Sequence, residues 1–298
     1  WRFGRGADAL VAGDNLLALA AVLARRAAGL RRVVYYMIDY TPVRYANRLL
    51  NAAYYCVDRW AACGADAVWP LTAKMIRARF EAGRLDERRV RWYEVPYGCH
   101  VLPQAGDRSD ARHVVYLGDI TRSKGAELFV PFALALRKRV PDFTLTLIGG
   151  GPDLASLRDE IERAGLRDRV ITVGFIESFG EALALLATGG VAIAPYADSD
   201  PNSFTFYADP GKIKVYLGCG LPVVLSDVPP IARRLAREGA GRIAAYDAEA
   251  FAEQVAAVIR AGDYAAMRAR AAELGRQCAW PNIFEEAFAR LGIAEEKR

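Results

Sequence analysis

"FTLTLIGGGPDLASLRDEIERAGLRDRVITVGFI", residues 143–176, is the stretch that decides the fold. FTLTLIGG has the length and content of a strand. In PDLASLRDEIERAG, Leu154, Leu157 and Ile161 fall at i, i+3 and i+7, the spacing of one buried helix face. Gly165 suits the residue just past a helix end, where a left-handed backbone is common. VITVGFI is strand-like again. Gly149, Gly150 and Gly151 then stand at the carboxyl edge of a strand, where parallel sheets bind ligands. A tight turn ahead of a proline-started helix accounts for them equally well.

The same alternation runs outward on both sides. Upstream, HVVYLGDI reads as a strand and AELFVPFALALRKRV as a helix. Downstream come helix EALALLATG, strand VAIAPYA, a helix in YADPGKIKVYLGCG, strand LPVVLSDV, helix PPIARRLARE, strand AGRIAAY and helix AEAFAEQVAAVIRAG. Strands that are apolar throughout are expected to be buried on both faces. The fold expected is α/β, a doubly wound parallel sheet of the Rossmann type. Residues 1–105 repeat the style more loosely, with strands DALVAGDN, RRVVYYMID, DAVWPLT and RWYEVPYG. Between them lie helices NLLALAAVLARRAAGL, VRYANRLLNAAYYCVDRWAACG and AKMIRARFEAG. They read as the later half of a second Rossmann-like domain. HVLPQAGDRSDAR is a polar linker, and WPNIFEEAFARLG a separate final helix. The expected division is 1–105, 106–278 and 279–298.

A chain of 298 residues, 53% hydrophobic and 25% charged, can bury a sizeable core without disulfide staples. Cys56, Cys63, Cys99, Cys219 and Cys278 are odd in number and form no CxxC pair. That argues against a disulfide framework and a zinc site, and for a reducing compartment. With His100 and His113 the only histidines, a histidine-based metal site is not expected. ALVAGDNLLALAAVLARRAAGL is the most apolar opening segment, but Asp14 interrupts it and Arg25–Arg26 end it, so no leader or membrane span is read there. Residue 1 is a tryptophan in mid-pattern, which makes an upstream segment the expectation. Net charge is +7 over residues 1–105 and −2 over the rest. A basic first part points to an anionic partner, a nucleotide, phospholipid surface or nucleic acid, or simply to solvated arginines.

YADPGKIKVYLGCGLPVV, residues 207–224, carries the most informative helix start. Asp209 is a good N-cap and Pro210 is favoured at the first helical position. Gly211 weakens a helix and wants a reason, and Lys212 is poorly placed for the helix dipole. A bound phosphate removes both objections. A capped core helix with Lys212 in solvent is the other reading.

These motifs together resemble the GT-B glycosyltransferases, and within them the large retaining family numbered 4, or group 1. The resemblance rests on YLGDITRSKG, LTLIGGGPDLASLRDEI, VITVGFI and APYADSDPNSFTFYADPGKIKVYLGCGLPVVLSDV. It is good over His113–Gly262 and weaker over Asp8–Leu102. It implies two Rossmann-like domains facing across a cleft, the N-terminal one partial here, with its first strand and glycine loop upstream. The C-terminal domain would bind a nucleotide-sugar donor and the N-terminal one most of the acceptor, with a final helix crossing back to the N-terminal domain. In the family an Arg and, five residues on, a Lys flank the diphosphate. Lys124 matches the Lys, but Asp119, just after Gly118, stands where the Arg would be, with Arg122 nearby as a substitute. The family's two glutamates spaced eight apart fall on Tyr207 and Val215, so both are absent, and Asp209 is the nearest carboxylate. Phe175 and Ile176 match the segment that packs on the base, and are equally well core.

The expected donor-binding set is therefore Gly118, Arg122, Lys124, Gly150, Gly151, Phe175, Ile176, Tyr207, Asp209, Gly211 and Lys212. The expected catalytic pair is Lys124 and Asp39. Asp39 closes the strand VVYYMID, where the family often carries a histidine one position earlier, here Ile38. It could meet an acceptor hydroxyl, or cap the helix after Pro42. Tyr35, Tyr36, Tyr40, Tyr45, Tyr54 and Tyr55 with Arg44, Arg48 and Arg59 form an aromatic and basic belt. That belt reads either as a surface for a lipid-linked acceptor or as ordinary packing. The resemblance implies a sugar transferred from a nucleotide-sugar, a substrate and not a cofactor, to a sugar, polysaccharide or lipid-linked acceptor. It implies retention and no metal. No nucleic acid partner is expected, and the expected place is cytoplasmic, either free or, if the belt is a lipid surface, peripheral on the inner membrane face. The alternatives are an inactive nucleotide-sugar-binding protein and a nucleotide-sugar epimerase on the same fold.

Overall fold

The computed structural model describes residues 7–102, 110–197 and 202–293. Along the chain run β1 (Leu10–Ala12), α1 (Asn15–Ala28), β2 (Val33–Met37), α2 (Arg48–Gly64), β3 (Ala67–Pro70) and α3 (Ala73–Glu81). Next come β4 (His113–Leu117), α4 (Phe129–Arg139), β5 (Thr144–Ile148), α5 (Leu154–Arg163), β6 (Val170–Gly174) and α6 (Phe179–Leu186). β7 (Val191–Ala194), α7 (Phe204–Tyr207), α8 (Gly211–Gly218), β8 (Val223–Ser226), α9 (Ile231–Arg237) and β9 (Gly241–Ala244) follow. Three helices close the chain: α10 (Ala248–Ile259), α11 (Tyr264–Gln277) and α12 (Trp280–Arg290).

These elements form two compact units. Among the described residues, unit 1 takes in 7–97, 202–209 and 281–293, and unit 2 the rest. The division expected at 105/106 falls outside the described residues. The first unit runs to Tyr97, and residues 202–209 pack with it although they lie far along the chain.

Unit 1 is built on a parallel sheet of order β1-β2-β3. β2 is buried along its whole length, as an apolar central strand of a covered parallel sheet must be. The helices start where their caps dictate. Asp14 accepts from the Leu17 N–H at α1, Asn47 from Leu49 and Leu50 at α2, and Thr72 from Met75 at α3. The helix expected from Val43 thus begins only at Arg48, because Asn47 caps it there. RWYEVPYG is not a regular strand. It runs beside β3 with a single bridge, Trp92 to Val68, because Pro70 lacks the N–H that would donate to the Tyr93 carbonyl and continue the ladder. Trp69, fully buried, centres the core, with Tyr36, Tyr93 and Phe288 rings 5.4–6.1 Å away.

Unit 2 holds a six-stranded parallel sheet of order β6-β5-β4-β7-β8-β9. Counted within the unit this is 3-2-1-4-5-6, the doubly wound order, whose direction reverses between β4 and β7. Burial on both faces holds for β7 and β8 but not for β6, the last strand on its side, where Ile171 and Val173 stand exposed. Gly165 takes the left-handed turn past α5, with φ 62°. α11 has no counterpart in the sequence reading.

Candidate functional site

The strand ends at the β4/β7 reversal gather the residues of interest in unit 2. β4 runs out into Gly118 and β5 into Gly149, and the two backbones touch. A Cβ on Gly149 would lie 2.0 Å from the Gly118 carbonyl oxygen, and φ is 144° at Gly149 and 142° at Gly118, so both positions require glycine. Gly151 is equally hemmed in by the Ile120 carbonyl. Gly150 lies against Phe175, whose ring is 78% exposed, whereas Ile176 packs on the core around β7 and β8. Of that pair, Phe175 alone is free to meet a ligand.

Lys212 reaches this point from the first turn of α8. Its Nζ donates to the Tyr116 hydroxyl at 3.2 Å and lies 4.4 Å from the Tyr116 ring centre and 5.3 Å from that of Tyr196. A Cβ on Gly118 would stand 3.0 Å from that Nζ. Burial, and then the charge of Lys124, push the Lys212 pKa down to about 7, while Asp119 works weakly the other way. Lys212 thus stands at glycine-lined strand ends, and Lys124 lies near it, its backbone carbonyl accepting from the same Tyr116 hydroxyl at 3.5 Å. α8 begins here with Pro210 as its N-cap and no side-chain cap. A side chain on Gly211 would meet nothing within 4 Å, so the protein itself gives no reason for glycine there.

Three expected donor residues lie elsewhere. Asp209 does not cap α8: it belongs to unit 1, 4% exposed, and its carboxylate accepts from the Tyr97 N–H at 3.0 Å. Tyr207 packs in unit 1, its ring 4.8 Å from that of Tyr40 and its carbonyl bonded by the Thr72 hydroxyl at 2.6 Å. Arg122 is exposed and lines a 220 Å³ hollow with Glu127, Asp153 and Glu160; it is not among the charges acting on Lys212. Val215 is half-buried against the core.

In unit 1, Asp39 lies two residues past the end of β2. It caps no helix, since Asn47 does that. Its carboxylate pairs with the Arg44 guanidinium at 2.9 Å, and Arg44 lies 5.0 Å from the Tyr54 ring and 5.7 Å from that of Phe204. Of the two readings of the aromatic and basic belt, packing holds for most of its tyrosines, while Tyr45, Arg48 and Arg59 stand exposed. Tyr35, Tyr36, Tyr40 and Tyr55 are buried, and Arg59 is occupied by the Gly83 and Arg84 carbonyls.

A family model, described as glycosyl transferases group 1, matches residues 111–261, half of the chain. The chain belongs to the group 1 glycosyl transferases. Over 193 residues it is 31% identical to a D-inositol 3-phosphate glycosyltransferase of Paenarthrobacter aurescens (strain TC1), a match over 53% of this chain and 45% of that protein. The chain thus spans about half the length of that relative. Among solved structures it resembles the pneumococcal O-GlcNAc transferase GtfA in complex with UDP and GlcNAc (TM-score 0.74, 14% identity, 97% of this chain and 57% of that one). It also resembles Anabaena HepE in complex with UDP (TM-score 0.73, 18% identity, 96% and 78%). The likeness shows a GT-B fold. Within this group 1 chain, the residues that sequence reasoning missed are Tyr116 and Tyr196, which hold Lys212. A tyrosine inside or just after a buried strand gives no signal that sets it apart from core.

Proposed function

We propose that this chain takes part in transferring a sugar from a nucleotide-sugar donor to an acceptor, with retention at the anomeric carbon. The observation that carries the reading is the paired Lys212 and Lys124 at the open start of α8. A leaving diphosphate gains negative charge in the transition state, and preplaced cations with uncapped helix amides are the groups that stabilise it. The burial that depresses Lys212 becomes an advantage once an anion sits beside it. Phe175 over Gly150 offers a face for the base. Asp39 would meet the acceptor hydroxyl. The reading needs no metal ion, because the lysines supply the positive charge.

The acceptor we propose is a sugar, free, in a polysaccharide or lipid-linked, used by a cytoplasmic protein that binds the inner membrane face. Five free cysteines support a reducing compartment. Among the described residues no helix is long and apolar enough to cross a membrane. Peripheral binding is supported by α1 and α2, which expose Leu16, Leu17, Leu23, Leu49 and Trp60, while their only acid, Asp58, is buried.

One observation favours a second reading, a nucleotide-sugar-binding protein without transfer: Asp119, Tyr207 and Val215 replace the charged groups of the family's site. His113 is held between the Thr188 carbonyl (3.0 Å) and the Thr146 hydroxyl (2.8 Å), so it is not free to serve as the histidine an epimerase needs. Calorimetry with UDP-, GDP-, ADP- and TDP-sugars tests the donor site, and NMR of the product formed with alkyl glycosides tests transfer and its stereochemistry. Binding without any product would establish the second reading. No binding of any nucleotide would refute both.

A further inference from the structure

The chain between β2 and α2 has no regular structure, yet side chains hold its backbone at six points. Arg79 Nη2 donates to the Asp39 carbonyl at 3.3 Å, the Tyr55 hydroxyl to that of Thr41, and Arg84 Nη2 to that of Pro42 at 2.6 Å. On the amide side, Val43 donates to Asn202 Oδ1 at 2.8 Å, and Arg44 and Tyr45 to Asn51 Oδ1 at 2.9 and 3.3 Å. The holders are themselves held. Arg79, fully buried, pairs with Asp58 at 3.0 Å, whose other oxygen takes the Tyr35 hydroxyl at 2.7 Å. The Arg84 guanidinium lies 3.7 Å from the Tyr55 ring centre and donates to the Tyr40 hydroxyl at 3.1 Å. Arg59 fixes the turn that carries Arg84 by donating to the Gly83 and Arg84 carbonyls, both at 2.8 Å.

Joining a strand to a helix does not require this. β2 is anchored by its ladder and α2 by the Asn47 cap, and a surface loop ordinarily leaves its backbone to water. What the clamp adds is a single course for residues 38–45. The groups carried outward on that course are the Asp39 carboxylate, 40% exposed, and the Arg44 guanidinium, 27% exposed. Functional side chains are kept productive by neighbours that lock them in place.

We propose that Tyr55 and Arg84 are positioning residues. Through the carbonyls of Thr41 and Pro42 they hold the Asp39–Arg44 pair in the geometry that receives the acceptor. The proposal rests on the reading of Asp39 given above.

The test uses the full-length protein, UDP-glucose as donor, and water and octyl glucoside as acceptors, with UDP release as readout. Tyr55→Phe and Arg84→Gln should lower kcat about tenfold to a hundredfold, the range that misplacement of a reacting group produces. Affinity for UDP and the donor KM should stay within about twofold of the parent, since their groups lie in unit 2. Arg84→Lys, which keeps one donor, should recover part of the rate. If kcat falls only in step with melting temperature and UDP affinity, the residues merely support the fold and the proposal is overturned. It is also overturned if Asp39→Asn is slow while both clamp variants match the parent. A parent that releases no nucleoside diphosphate from UDP-, GDP-, ADP- or TDP-glucose, or Asp39→Asn at the parent rate, refutes the underlying reading and the clamp with it.

Discussion

Lys212→Met is the substitution that probes the donor site most directly. The ordinary lysine value of 10.5 is pushed down to about 7 here, first by burial and then by Lys124. An anion that restored the ordinary value would gain at most ~5 kcal/mol, at about 1.4 kcal/mol per tenfold change. Lys212 keeps some exposure, so the working figure is that of a charge-assisted hydrogen bond, about 1.5–3 kcal/mol. The pH dependence follows. Below about pH 7 the free protein already carries the proton on Lys212. Above it, binding of a diphosphate must take a proton up. Affinity for UDP-glucose should therefore be level below about pH 7 and fall by up to ~tenfold per pH unit above it, ~100-fold between pH 6 and pH 9.

The assay is titration calorimetry at constant ionic strength, repeated in buffers of different ionisation enthalpy so that proton uptake is counted. Lys124, Asp119 and Tyr116 face the same point, so the parent is compared with Lys212→Met, in which only their share of the pH dependence is left. A parent that binds equally at pH 6 and pH 9, or a variant with the parent's slope, would refute the reasoning. The unliganded protein supplies an internal check. The unfolded chain binds more protons on this lysine between about pH 7 and 10.5, so the parent should gain stability on Lys212→Met as pH rises through that window.

Lys124→Ala should weaken UDP by about 1.5–3 kcal/mol while leaving uridine unchanged, because it meets charge and not base; parallel calorimetric titrations decide it. Asp58→Ala strips the partner from the fully buried Arg79 and should cost about 3–5 kcal/mol in urea denaturation, with Asp58→Asn costing less. Vesicles containing phosphatidylglycerol should bind the protein at low salt, and Leu49→Glu with Trp60→Glu should abolish binding, read by flotation.

Unit 2 was legible because its strands are apolar runs long enough to stand out and its glycines punctuate them. α11 was not, since its buried face is Met267, Ala271, Ala272 and Leu274, and alanines carry little hydrophobic signal. Lys124, Gly118, Gly150 and Lys212 could be singled out by motif, and Lys124, Gly118 and Lys212 meet at one point. Tyr207 was placed with the following helix by the family's spacing and Asp209 by its fitness as a cap, but both pack in unit 1. Their partners, Tyr40, Thr72 and Tyr97, come from the first hundred residues. Burial set by distant contacts leaves no periodic trace nearby. The clamp around residues 38–45 was hidden for the same reason: buried tyrosines and carbonyl-bound arginines look, in sequence, like a belt on a surface.

The course of the chain at Asp209–Gly211 explains why the helix start is left open. Asp209 would have been a strong cap, worth about 1 kcal/mol to α8. Its carboxylate is taken by the Tyr97 N–H in unit 1, and unit 2 begins at the next residue, so α8 starts at Pro210 without a side-chain cap. A lysine then stands in the first turn, where the helix dipole disfavours it, against a second lysine. Each of these choices weakens the unliganded unit. On the reading proposed above, one bound diphosphate would answer all three at once: it would accept from the open amides, offset the dipole and neutralise the pair. A helix assembled against its own stability at one end, and only there, is the arrangement expected where an anionic ligand completes the fold locally.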